Sequence, residues 1–202
     1  DRDVVALFLR HNCIPAPYSI YHGIKKLTPG TYLSIPAEKF LGADEIEPIT
    51  YWSLEEVAYE GQAQLFSGTE EEAVNELERL LQQSVDGQSI ADVPLGAFLS
   101  GGIDSSMVVA LMQAGSAKPV KTFTIGFDES GYNEAKYAKE VARHLGTEHT
   151  ELYVSPEEAR DVIPKLPSLY DEPFADSSQI PTSLISQLTR KHVTVSLSGD
   201  GG

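Results

Sequence analysis

Apolar positions fall into two regimes along the chain. From Thr69 onward they recur regularly: Val74, Leu77, Leu81 and Val85 lie at helical spacing, and Thr69 followed by Glu72 is a capping box at the start of that run. Asp86 to Asp92 reads as a turn-rich connection. The apolar run Pro94 to Leu99 predicts a strand, and an apolar helix is expected to begin near Ser105. Lys121 to Phe127 has the β-branched and aromatic bias of a strand. Asn133 to Leu145 predicts a helix with Ala135, Ala138, Val141, Ala142 and Leu145 on one face, stopped by Gly146. Glu148 to Val154 predicts another strand. Ser155, Pro156 and Glu158 then supply a cap, a first-turn proline and a box glutamate for the next helix. A helix over Gln179 to His192, with Pro181 in its first turn, and a strand over Val193 to Leu197 complete the pattern.

Before residue 60 the regularity is missing. Pro15, Pro17, Pro29, Pro36 and Pro48 recur among short Tyr- and Ile-containing runs, which predicts extended segments and turns rather than long helices. Glu60 to Gly68 is polar and small and reads as a linker. The expectation is a short β-rich N-terminal piece followed by an α/β unit. Strands alternating with helices imply a parallel sheet with helices on both faces. Ligands of such sheets bind beyond the carboxyl ends of the strands. Two glycine-bearing segments, Ser100 to Ser106 and Ser198 to Gly202, lie there.

Composition narrows the function classes. The 202 residues carry 30 acidic and 15 basic side chains, a formal charge of −15. That argues against a nucleic-acid or anionic-membrane surface, both of which need clustered Lys and Arg. It leaves room for a small anion held by backbone N–H groups. With Cys13 as the single cysteine there is no disulfide framework and no Cys-rich zinc site, which fits a reducing, cytoplasmic setting. No run approaches a membrane span. The chain opens on Asp1 and closes on a glycine loop with no element after it, so both ends read as internal to a longer polypeptide.

The stretch Ser100-Gly101-Gly102-Ile103-Asp104-Ser105-Ser106 carries the most chemistry. A Gly-Gly turn before a helix often does no more than reverse the chain. Here the two glycines allow close approach to an anion, the serines offer hydroxyl donors, and the following helix presents free N–H groups. Asp104 would repel phosphate unless a Mg²⁺ lies between them, since carboxylate and phosphate oxygens are both hard ligands. No Gly-Lys-Ser/Thr follows, so the loop is not of Walker type.

The loop resembles the Ser-Gly-Gly-x-Asp-Ser pyrophosphate loop of the ATP pyrophosphatase (PP-loop) superfamily. "PLGAFLSGGIDSSMVVALM", "FTIGFDESGYNEAKYAKEVARHLGTEH", "YDEPFADSSQIPTSLIS" and "VSLSGDGG" follow in the order found in the synthetase domain of glutamine-dependent asparagine synthetases. The N-terminal "LFLRHNCIPAPYSIYHGIKKLTPGTYLSI" resembles the end of that family's glutaminase domain. The resemblance implies an adenine nucleotide alpha hydrolase-like core, with residues 1–60 as glutaminase remnant plus linker and residues 61–202 as the first part of the synthetase domain.

It also implies roles. Ser100, Gly101, Gly102, Asp104, Ser105 and Ser106 would hold pyrophosphate, with Asp104 on Mg²⁺. Leu99 and Ile125 would contact the adenosine, and Ser198 and Gly199 the nucleotide. Asp200 would stand near the reacting carboxylate. The implied substrates are ATP, aspartate and ammonia, with a homodimer open to the full-length parent. Relatives acting on another carboxylate, such as β-lactam-forming synthetases, and a non-catalytic nucleotide-binding domain remain alternatives. The family's glutaminase uses an N-terminal cysteine; this chain starts with Asp1, and Cys13 is not in that context, so no glutaminase activity is expected of it.

Other features have plain readings. The acidic group Asp171, Glu172 and Asp176 reads as a turn or a substrate-side loop. Lys121 reads as an exposed strand-edge lysine. His144, His149 and His192 lie near element ends and suit capping or surface roles rather than a metal.

Overall fold

A computed structural model of the chain describes residues 1–36, 46–127 and 134–200. Its elements, in chain order, are α1 (Val5–His11), β1 (Thr31–Tyr32), β2 (Ile49–Thr50), α2 (Leu54–Ala63), α3 (Glu70–Gln88), β3 (Leu95–Phe98), α4 (Ile103–Ala114), β4 (Lys121–Phe127), α5 (Ala135–Leu145), β5 (Glu148–Val154), α6 (Pro156–Val162), α7 (Leu166–Leu169), α8 (Gln179–Thr189) and β6 (Val195–Leu197). The chain divides into two units, Asp1–Ser67 with Leu166–Asp176, and Gly68–Lys165 with Ser177–Gly202.

In the first unit β1 and β2 form a single antiparallel pair, Thr31 opposite Thr50. Two helices accompany it that the proline spacing does not anticipate. One is α1, ended by Asn12 in the left-handed conformation. The other is α2, capped by the Ser53 side chain, which accepts from Glu56 N–H. Residues 54–63 contain no proline and consist mostly of helix formers, so the segment read as linker from Glu60 is helical as far as Ala63. Glu172 pairs with Lys26, and the Ile20 N–H donates to Glu172 Oε1 at 2.6 Å. It is therefore neither a solvated turn nor a free acid. Partial burial pushes its carboxyl up, but the Lys26 ammonium and the Ile20 N–H outweigh that and hold it below the usual range.

The second unit is built on a four-stranded sheet in the order β5-β4-β3-β6, and all three pairings are parallel. Period-2 alternation sends Ala97 and Leu99 to one face, where they join Val109 and Met112 of α4 and Ala138 and Ala142 of α5. Phe98, Phe123 and Ile125 face the other way, against Ile185 and Leu188 of α8 and Val193. Both faces are thus covered, as the βαβ pattern predicts.

Boundaries follow local signals. β4 and β5 span the expected residues, and both capping boxes form, Thr69 with Glu72 and Ser155 with Glu158. Gly146 ends α5 at φ 73°. The expected start of that helix, Asn133, lies outside the described residues, as do residues 37–45 and the last two glycines.

Several boundaries differ from the sequence reading. α3 continues through Gln88, because Ser89 N–H and Oγ both bond the Val85 carbonyl, so the turn-rich connection begins later. α4 starts at Ile103, because extended Gly102 acts as its N-cap and Ser105 falls in the first turn. α8 stops at Thr189, where tightened turns take over, Lys191 N–H to Leu188 O and His192 N–H to Thr189 O, and β6 begins at Val195. Of the apolar positions in α3, Val85 is buried while Val74 and Leu77 are exposed. Among the described residues no helix is long and apolar enough to cross a membrane.

Candidate functional site

The chain runs outward from β3 to β4 and β5, then returns to β6 on the opposite side of β3. The strand order therefore reverses at β3, and the crevice beyond the carboxyl ends at such a reversal is where open parallel sheets bind ligands. Ala97 and Leu197 are register partners, so the two glycine loops emerge side by side. They enclose a cavity of about 250 Å³ lined by Phe98, Ser100, Gly102, Asp104, Ser105, Ser198, Gly199 and Asp200.

The β3–α4 loop is tied by its own hydroxyls. Ser100 Oγ and Ser105 Oγ lie 2.8 Å apart, Ser100 N–H donates to Ser105 Oγ at 3.2 Å, and Gly102 N–H donates to Ser100 Oγ at 3.2 Å. Gly101 adopts φ 81°, a conformation that favours glycine, and a Cβ there would lie 2.7 Å from Ala138 N and Tyr137 Cβ. The first helical bond of α4 runs from Ser106 N–H to the Gly102 carbonyl at 3.1 Å, so the first-turn N–H groups ahead of it point out of the helix end. This is the arrangement an anion takes at a helix N-terminus. From the other side, Gly199 presses on the helix start: a Cβ there would stand 2.7 Å from Ser105 N and 3.0 Å from the Asp104 carbonyl carbon.

The residues singled out from the sequence are placed as follows. Ser100, Gly102, Asp104, Ser105, Ser198, Gly199 and Asp200 share the cavity. Gly101 turns toward α5 and lets the loop pack against it. The Leu99 side chain is buried in the core under α4 and α5, and Ile125 packs on the opposite face of the sheet. The Ser106 hydroxyl is buried and has no partner. Phe98 lines the cavity and escaped the sequence reading, since a strand aromatic carries no local mark of a ligand wall.

Asp104 is exposed in the first turn of α4, where a carboxylate complements the helix dipole. Among the described residues no group of three or more His, Cys, Asp or Glu is placed to hold a metal. A Mg²⁺ fits the donors present, because that ion takes one or two carboxylates and completes its shell with phosphate oxygens and water. Asp104 and Asp200 are the two carboxylates of the cavity.

The remaining candidates lie elsewhere. Lys121 opens β4 at the amino end of the sheet, away from the loops. His149 is not a surface histidine: Nδ1 lies 2.9 Å from the buried Thr122 hydroxyl, and Nε2 is buried without a partner. Burial pushes its pKa below the usual value, opposed by Glu151 and reinforced by Lys139. Glu151 bonds Lys139 at 2.7 Å across α5 and β5, and that bond holds its carboxyl below the usual range.

The family model for asparagine synthase matches residues 76–202. A Methanocaldococcus jannaschii protein with the provisional name glutamine-hydrolysing asparagine synthetase 2 is 38% identical over 205 residues, covering 100% of this chain and 37% of its own length. Glutamine-hydrolysing asparagine synthetase 1 of Bacillus subtilis is 32% identical over 100% of this chain and 30% of its own. The chain thus spans about a third of the length of the curated relatives it matches. Among solved structures, NMN synthetase from Francisella tularensis superposes with a TM-score of 0.40 and 16% identity, over 62% of this chain and 52% of that one. The family match spans the strand–loop–helix and the facing terminal loop that build the cavity, and the chain belongs to the asparagine synthase family.

Proposed function

We propose that the natural polypeptide carrying this sequence is an ATP-dependent ligase that makes asparagine from aspartate and ammonia, with AMP and pyrophosphate as the other products. Residues 61–202 are read as the first part of its synthetase domain, and residues 1–60 as the end of a glutaminase domain plus linker. The observation that carries the reading is the cavity between the Ser100–Ser105 loop and the Ser198–Asp200 loop, with free helix N–H groups on one wall and two carboxylates on its lining.

In this reading an aspartate β-carboxylate oxygen attacks the α-phosphorus of ATP and expels pyrophosphate. Ammonia then attacks the acyl carbon, AMP leaves, and the nitrogen loses a proton. The free first-turn N–H groups of α4 and the Ser100 hydroxyl hold the departing pyrophosphate in place, so catalysis is mostly positioning and neutralisation of phosphate charge. Asp104 would hold a Mg²⁺ that offsets phosphate charge when bound. Asp200 is assigned to the side of the cavity near the reacting carboxylate.

The test is isotope exchange between ATP and radiolabelled pyrophosphate in the presence of Mg²⁺. Exchange that depends on aspartate is the expected result. Exchange only with another carboxylic acid would keep adenylation and replace the substrate. ATP binding without exchange for any acid would leave a nucleotide-binding module.

A further inference from the structure

His149 is a titratable group that the cavity chemistry leaves unused. It is the second residue of β5, at the end of the sheet opposite the glycine loops. Its Nδ1 lies 2.9 Å from the Thr122 hydroxyl, which itself lies 2.9 Å from the Thr147 hydroxyl. Thr147 closes the last turn of α5, where its N–H donates to the Ala142 carbonyl at 3.1 Å, beside the bond from Gly146 N–H. Four residues back on the same helix face, Ala138 meets the glycine loop: a Cβ on Gly101 would stand 2.7 Å from the Ala138 nitrogen. The last turn of α5 thus touches the imidazole network and its first turn the Ser100–Ser106 loop.

We infer that, with the cavity read as a pyrophosphate site, His149 is a positioning residue for that loop, acting through α5 and only while its ring is uncharged. In either neutral tautomer the Thr122 hydroxyl serves Nδ1, by donating to it or by accepting from it. Nε2 is buried without a partner among the described residues, which costs the neutral ring one unmade bond. A second proton makes both nitrogens donors and sets a charge beside an N–H that no oxygen receives. The ring then leaves Thr122 for solvent, Thr147 loses its anchor, and the last turn of α5 slackens. Gly101, with no side chain of its own, keeps its place by packing on that helix, so the loop slackens with it.

The charges that act on the ring oppose one another. Glu151, on the same face of β5, is bonded to Lys139 of α5 at 2.7 Å. Glu148, Arg143 and His144 are exposed, and β4 presents the neutral Thr122, with Lys121 on the other face of the sheet. Burial therefore governs the ring and keeps it neutral at neutral pH.

The test is binding of magnesium pyrophosphate to the whole chain from neutral to acid pH, with His149→Asn alongside. Asparagine carries an amide as far as Nδ1 and does not titrate, so it keeps the Thr122 bond at every pH. The ratio of the two affinities removes the ionisation of pyrophosphate itself. Well above pH 6.5 the two chains bind alike. As the histidine charges, the parent weakens about fivefold or more relative to the variant, the lower end for coupled sites. Linkage requires the converse: saturating pyrophosphate lowers the pKa of the His149 ring, followed by NMR, by the logarithm of the same factor. That measurement uses the unmodified chain and stands even if the variant does not fold. A ring whose titration pyrophosphate leaves unchanged would overturn the proposal, as would one pH profile shared by parent and variant. A chain that binds no pyrophosphate at any pH would refute the anion site, and the proposal with it.

Discussion

Gly199 sits against the amide nitrogen of Ser105, so close that a single added methyl would stand 2.7 Å from it and 3.0 Å from Ser105 Cα. Both obstacles are backbone and cannot rotate away. Gly199→Ala must therefore push the terminal loop off the start of α4. The expected cost is about 1–3 kcal/mol of stability, as for other overpacked sites. ATP or pyrophosphate binding should weaken more than tenfold, read by calorimetric titration. Unchanged affinity would mean that the facing loop takes no part in the site.

Gly101→Ala meets two penalties at once. The residue is at φ 81°, and the new Cβ would lie 2.7 Å from the Ala138 nitrogen. Strain of that kind costs about 1–3 kcal/mol before the clash is counted. A lowered melting temperature together with loss of pyrophosphate binding is expected. A variant as stable as the parent would show that the loop does not need its contact with α5.

Asp104→Ala separates function from fold. The side chain is exposed and its only structural contribution is at the helix start, about 0.3–1 kcal/mol. Thermal unfolding should shift little, while Mg²⁺-dependent ATP–pyrophosphate exchange is abolished. If the variant unfolds, Asp104 is structural and its assignment to the ion fails.

His149 predicts a pH dependence with a definite sign. Its folded pKa is depressed below 6.5 by burial, so the unfolded chain binds the proton first as pH falls. The contribution is fully present above pH 6.5 and is lost as pH drops from there toward the folded pKa. Glu151 and Glu172, also depressed, start from 4.5 and act only at more acid pH. Stability of the parent should fall as pH drops below 6.5, and His149→Gln should flatten that slope. An NMR titration placing the His149 pKa at or above 6.5 would remove the effect.

The local grammar of the chain determined a good part of the fold. Thr69 with Glu72, Ser155 with Pro156 and Glu158, and Gly146 mark helix ends within three or four residues, the range over which caps act, and the structure honours each. The apolar run of β3, the β-branched and aromatic bias of β4 and the glycines after β3 and β6 were legible for the same reason. α1 and α2 were not, because neighbouring prolines obscured short helical stretches between them.

Longer-range matters waited for the tertiary structure. Glu172 looks like part of an acidic turn until the Ile20 amide, 152 positions away, is brought to its carboxylate. Leu99 borders the motif but lies in the core, since period-2 alternation turns it toward α4 and α5. The sequence alone determined that two glycine loops follow two strands and what residue types they carry. Their meeting, with Gly199 on the nitrogen of Ser105 and one cavity between them, was decided by β6 returning beside β3, a choice that sheet pairing makes and no short segment encodes.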